Sequence, residues 1–247
     1  MGPRRTPLSV PVHDAASCTV DVRRHALAHV PFFAGLDEAG LDDVERRCTV
    51  HDHAAGTAVM HAGEPARRIF VVAAGTAKVV RTALDGTEVL IDVARPGDFI
   101  GTLPLLGAET YPDSVWALTP LCVLGLDEAA FGEILDSHPS VARLGLGVMA
   151  RRLEQAHRHI HALGAADSEQ RVAAALAMLE GRVGVRRRDG ILLDLPLSRD
   201  DLAGLTGTAS ETVSRILARL GRDGVIETGR RWIRIVDSPA LHDLAQI

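Results

Sequence analysis

The stretch DLAGLTGTASETVSRILARLGRDG, residues 201–224, decides how the rest of the chain is read. It has the texture of two helices joined by a three-residue turn. Small Ala203 lies where the second helix must cross the first, and Gly207 opens the turn where a left-handed backbone is wanted. Ser210 is placed as the N-cap of the second helix. Val213, Ile216, Leu217 and Leu220 then recur at the spacing of a buried helical face. That leaves Glu211, Thr212, Ser214, Arg215 and Arg219 pointing outward. Such a helix can set its N-terminal residues against base edges in the major groove of DNA, with Arg215 bonding guanine and Glu211 accepting from cytosine. The blander reading is a helical pair with a solvated charged face. The next segment, VIETGRRWIRIV (225–236), favours DNA: it reads as a hairpin with Arg230 and Arg231 at the tip, where a wing would meet phosphates.

Working outward, residues 167–247 form one candidate domain. A helix is expected over Glu169–Glu180, a strand over Ile191–Leu195 and a helix over Arg199–Thr206, the last with Ser198 as N-cap and Asp200 and Asp201 in its first turn. Gly164 and Asp167-Ser168 read as a hinge before it. Residues 131–166 are assigned to a long helix. From Pro139 a heptad runs with Leu146, Leu153 and Ile160 on one row and Ala142, Met149, Ala156 and Leu163 on another. Either this is a coiled-coil seam between two chains or one amphipathic helix packing on its own domain. Residues 25–130 open with a helix, Asp37 to Arg47. Short apolar runs come after it (IFVVAAG, AKVVRT, EVLIDVA, SVWAL, LCVLGL), separated by turns at Gly63-Glu64-Pro65, Asp85-Gly86 and Arg95-Pro96-Gly97-Asp98. Runs of that length and spacing predict an antiparallel sandwich or barrel. Residues 1–24 are rich in Pro, Arg, Ser and Thr without periodicity and are expected to form a flexible arm.

Composition excludes several classes. With 47% hydrophobic and 24% charged residues over 247 positions, the chain is that of an ordinary globular protein. No run approaches the ~18 apolar residues of a membrane span. The opening MGPRRTPLSVPV is too broken by proline for an export signal, so a cytoplasmic location is expected. Cys18, Cys48 and Cys122 are odd in number and lack CxxC spacing, which argues against a disulfide scaffold and a thiolate metal site. The net charge of −5 is uneven: residues 168–247 carry 12 Lys/Arg against 11 Asp/Glu, and nearly all the cations of the chain are arginine.

Taken in order, PFFAGL (31–36), the Pro-Gly-Asp-Phe-Ile-Gly segment (96–101), the long helix and ETVSR (211–215) resemble the cyclic-AMP receptor protein/FNR superfamily over about residues 30–240. The resemblance implies an α+β fold: an N-terminal antiparallel β-roll (jelly roll), a long dimerisation helix and a C-terminal winged helix-turn-helix. It implies a homodimer on double-stranded DNA, with RNA polymerase as a further partner. Glu211, Ser214 and Arg215 match the FNR type of recognition helix, so TTGAT half-sites are expected. The effector pocket would fall at Gly97, Gly101, Thr102, Leu103, Pro112 and Asp113. No arginine lies between Arg95 and Arg143, and Asp113 would repel a phosphate, so cyclic AMP in the family's usual mode is not expected. An iron–sulfur cluster on Cys18, His29 and Cys122 is not expected either, and Cys122 reads as a small buried hydrophobe. Haem stays open, with His51, His53, His61, His157, His159 and His161 in the chain but no ligand singled out. A cupin-like metalloenzyme would need a Glu soon after His53, where the sequence gives AAGTAV. No metal site and no enzyme activity are expected.

Overall fold

The computed structural model describes residues 18–83, 86 and 88–245, in two compact units that meet in sequence at residues 165 and 166. The first unit begins with α1 (Val20–His29) and α2 (Glu38–Arg47), followed by β1 (Thr49–His53), β2 (Ala58–Met60), β3 (Arg68–Ala74), β4 (Ala77–Thr82), β5 (Glu88–Ala94) and β6 (Phe99–Gly101). After a short 3-10 turn come β7 (Ser114–Ala117), β8 (Leu121–Asp127), α3 (Glu128–Ser137) and α4 (Pro139–Ala165). Two antiparallel four-stranded sheets, ordered β1-β8-β3-β6 and β2-β7-β4-β5, make the β-roll.

The reason for the two layers lies in β3 and β8, which are apolar at almost every position. Successive side chains of a strand point to opposite faces. Ile69, Val71, Ala73, Leu124 and Leu126 therefore join one core, which also takes in Leu27, Val30 and Phe33, Phe131 and Ile134 of α3, and Val141 and Val148 of α4. Phe70, Val72, Leu121 and Val123 join a second core that includes Met60, Ala77 and Val115 of the other sheet. Helix starts follow their caps: Asp37 accepts from the Gly40 N–H at 2.9 Å and Asp127 from the Ala130 N–H at 2.9 Å.

Some expectations are corrected here. The first helix starts at Val20, inside the stretch expected to be an aperiodic arm, with Thr19 as its N-cap; residues 1–17 lie outside the described residues. Asp85 of the expected Asp85-Gly86 turn also lies outside them, although β4 and β5 do pair as a hairpin. The cysteine reading fails in one respect. Cys18 and Cys122 are joined by a disulfide, with Cα atoms 6.2 Å apart and a sequence separation of 104. Cys122 is buried as expected, yet it is bonded rather than a lone hydrophobe. An odd cysteine count cannot reveal that two of three residues meet, because their meeting depends on α1 folding back along β3 and β8. Cys48 is free, and burial pushes its thiol up to about 12.

The second unit contains α5 (Ser168–Val183), β9 (Val185–Arg187), β10 (Gly190–Leu193), α6 (Arg199–Thr206), α7 (Ser210–Arg222), β11 (Ile226–Gly229), β12 (Trp232–Ile235) and α8 (Ser238–Leu244). Its sheet runs β11-β12-β10-β9. The expected strand at Ile191–Leu195 is β10, shifted by a residue or two, and β9 is a strand that the sequence reading lacks.

Candidate nucleic-acid interface and effector pocket

The second unit presents α7 through a short, well-determined turn. Ser198 caps α6, accepting from the Asp201 N–H at 3.0 Å while Asp201 accepts from the Ser198 N–H at 2.8 Å. Helix α6 ends where Gly207 takes a left-handed conformation, φ 58° and ψ 42°. Thr206 is wholly buried and its hydroxyl donates to the Leu202 carbonyl at 2.8 Å, so the last turn of α6 leaves no unsatisfied side chain. The inner face of α7 is Val213, Ile216, Leu217 and Leu220, all buried.

The outward residues divide into free and engaged. Glu211, Ser214 and Arg215 are exposed on the first turns of α7 and make no ion pair among the described residues. Thr212 is half-buried. Arg219 is taken up by an ion pair with Glu169 of α5. Ser210 is not the N-cap: Ala209 is, without a side-chain bond, and Ser210 is the first helical residue, its hydroxyl donating to Asp200. The correction has a plain cause. The Gly207–Ala209 link is one residue shorter than the cap assignment needs, so the helix already begins at Ser210, and the Asp200 carboxylate, ten positions back, offers the hydroxyl a charged acceptor.

The wing is a two-residue hairpin, Gly229 opposite Trp232, with Arg230 and Arg231 exposed at its tip. A Cβ on Gly229 would come within 2.2 Å of the Trp232 ring, so the indole requires glycine there. Arg231 is the single non-glycine residue with positive φ among the described residues, at 67°. Arg234 behind it is structural, bonded to Glu227 at 2.8 Å and Asp189 at 2.9 Å with its guanidinium 5.4 Å from the Trp232 ring centre. Arg215, Arg230 and Arg231 thus carry unneutralised charge, whereas Arg219 and Arg234 hold the scaffold.

In the β-roll a cavity of about 170 Å³ is lined by Met60, Phe99 and Ile100 with Gly101, Pro112 and Asp113 at one side. Of the residues expected there, Leu103 is instead fully buried in the helical core, and Gly97 forms the turn that packs on His29. Thr102 is not in the lining. Sequence reading missed Asp92, Asp98 and Arg152, which do line it. Arg152 comes from α4; its guanidinium lies 3.8 Å over the Phe99 ring and donates to the Phe99 carbonyl at 3.3 Å. Asp113 is held by Arg81 of β4 at 2.7 Å. The lining thus carries three carboxylates against the one guanidinium of Arg152, with Asp113 already paired to Arg81, a small excess of negative charge that disfavours an anion.

Among the described residues the histidines do not gather into a ligand group, although the His25 and His29 rings lie 4.2 Å apart between centroids. His51 bonds Thr49 at 2.9 Å and stands edge-on to Phe70, and burial lowers its pKa. His53 is half-buried on β1, His61 stands against Trp116 and His157 is exposed; the side chains of His159 and His161 lie outside the described residues. The cluster set of Cys18, His29 and Cys122 does not assemble. His29 closes a ten-residue helix whose other end neighbours Cys18, roughly 15 Å away along the axis, and its Nδ1 bonds the His25 carbonyl.

On the long helix, Leu146, Met149 and Leu153 are 73%, 47% and 58% exposed, and Ala142 and Ala156 are exposed beside them. Val141 and Val148, on the opposite side, are buried against the roll. The side chains of Ile160 and Leu163 lie outside the described residues.

Comparison with known proteins agrees with this geometry. Residues 50–138 match the family described as "Cyclic nucleotide-binding domain", and residues 170–244 match "Crp-like helix-turn-helix domain". The CRP-like cAMP-activated global transcriptional regulator of Mycobacterium tuberculosis is 27% identical over 215 residues, covering 87% of this chain and 96% of that protein. The transcriptional activator protein FnrL of Cereibacter sphaeroides is 28% identical, covering 85% and 86%. A solved CRP-family transcriptional regulator from Thermus thermophilus superposes with a TM-score of 0.66 at 28% identity, covering 79% of this chain and 96% of that one.

The wing yields a test with two signs. Arg231→Gly removes a positive-φ side chain and should raise stability by about 0.5–1 kcal/mol in urea unfolding. The same change removes a free cation, so the log–log salt slope of DNA binding should become shallower by about 1.

Proposed function

This chain belongs to the cyclic-AMP receptor protein/FNR family of DNA-binding transcriptional regulators, and from that premise we propose that it acts in the cytoplasm as a homodimer on TTGAT-type palindromes, under an effector that is not cyclic AMP. The observation that carries the operator assignment is the free, exposed trio Glu211, Ser214 and Arg215 at the leading end of α7. Arg215 takes the guanine of TTGAT and Glu211 the neighbouring cytosine, while Arg230 and Arg231 hold phosphates and set the register. Two copies reading a palindrome need a two-fold, and the apolar stripe of Leu146, Met149 and Leu153 supports one, since exposed leucines in a row gain about 1.5–3 kcal/mol each from full burial. RNA polymerase is the partner through which DNA occupancy would act.

In a gel shift at fixed salt, a TTGAT palindrome should outcompete a TGTGA palindrome. Arg215→Ala should cost about 1–3 kcal/mol and relax selection at the G·C pair, and undiminished selection there would refute the contact. Leu153→Glu places a charge in the seam and should give monomer by light scattering; a dimer of unchanged strength would move the interface elsewhere. Calorimetric titration with cyclic AMP or cyclic GMP at micromolar concentration should show no heat, because the lining of the β-roll cavity carries Asp92, Asp98 and Asp113 against the one guanidinium of Arg152.

A further inference from the structure

The Cys18–Cys122 pair is used by none of the machinery described above. Cys18 is half-buried and immediately precedes the capping residue of α1, and Cys122 is wholly buried on β8. Asp52 stands opposite Cys122 in the β1–β8 register, and its carboxylate and the two sulfurs lie within 4.8 Å of one another.

We propose that Cys18 and Cys122 form a reversible redox site, closed as a disulfide and open as two thiols, that governs how firmly the start of α1 is held to the β-roll. Three observations carry it. Cys18 is only half-buried, whereas Cys122 is wholly buried, so the bridge is open to an exchanging thiol from the Cys18 side. Arg23 donates to the Cys18 carbonyl at 3.2 Å and to Glu45 at 2.8 Å, so the open form keeps Cys18 close to its partner and can reclose. Third, a protein that works on DNA in a reducing compartment carries a disulfide chiefly as a redox-sensing one, a point that rests on the proposed function.

The chemistry balances with a hydroperoxide as oxidant. The Cys18 thiolate attacks the distal peroxide oxygen, the O–O bond breaks and an alcohol leaves, giving a sulfenic acid on Cys18. The Cys122 thiolate then attacks that sulfur and water departs. Two thiols and one hydroperoxide become one disulfide, one alcohol and one water. In the reverse direction a dithiol reductant exchanges with the bridge, ending as its own disulfide and returning both thiols. Cys48, whose thiol is pushed up to about 12, takes no part.

The pair also has a route to α4. The α1 segment leads into Phe32, whose ring meets Phe99 edge-on at 4.9 Å between centroids, and Phe99 in turn seats Arg152 of α4.

The test uses the full chain. After hydrogen peroxide, trapping with N-ethylmaleimide and peptide mass analysis should find Cys18 linked to Cys122; dithiothreitol without denaturant should open both, and peroxide should reclose them. Reduction should speed hydrogen exchange over Val20–Arg24 by about tenfold with the β3 and β8 amides unchanged, and Cys18→Ser should show the fast rate in either condition. On the TTGAT duplex the two redox forms should differ at least about fivefold in affinity, a difference absent in Cys18→Ser. A bridge that opens only in denaturant, exchange that ignores reduction, or a stoichiometric metal on the thiols of the reduced protein would each overturn the site. Equal DNA affinity of both forms would overturn its regulatory role. If redox cycling and exchange behave as stated but no duplex is bound, the failure belongs to the DNA reading and not to the redox site.

Discussion

Two strands that are apolar on both faces organise the N-terminal unit. A sheet containing β3 and β8 cannot lie at the surface, because either face left bare would expose a row of leucine, isoleucine, valine and phenylalanine side chains. One face is closed by the second sheet, which turns the domain into a roll. The other is closed by helices, and this recruits α1, α3 and α4 to the same core. The cavity of the roll and the exposed stripe on α4 both follow from that requirement. Arg152 reaches the cavity only because Val141 and Val148 fasten its helix to the sheet.

In the C-terminal unit the governing division is between charges that build and charges that wait. Arg219 and Arg234 are neutralised by Glu169, Glu227 and Asp189. Arg215, Arg230 and Arg231 have no such partner among the described residues and are the cations proposed to meet the duplex. The unit as a whole is almost electrically balanced, so its attraction for DNA comes from local arrangement rather than net charge.

Local signals are the legible ones. Ser198 with Asp201, Gly207 and the apolar spacing of α7 are written in adjacent residues, and the elements they specify form as expected. The place of Ser210 is harder to read because its hydroxyl is claimed by Asp200 on the preceding helix, a contact that exists only after the turn has formed. Arg152 is invisible for the same kind of reason: a search for cations within the roll's own sequence cannot find one delivered by a helix about fifty residues on. The disulfide is the hardest to see. It needs an N-terminal segment whose composition hides a helix to lie along strands far away in sequence, so no spacing rule could pair Cys18 with Cys122.

Helix α4 carries two apolar faces that answer to different neighbours. Val141 and Val148 are fixed by the roll, while Leu146, Met149 and Leu153 look away from it. The angle between the faces is set by residue count alone, at roughly 100° per position. The helix therefore works as a mechanical phase reference: one residue inserted between Val148 and Leu153 would leave the roll intact and the composition of the stripe nearly unchanged, yet swing Leu153 and every later position a quarter turn out of alignment. Substitutions along this segment can be absorbed one at a time, whereas changes of length cannot.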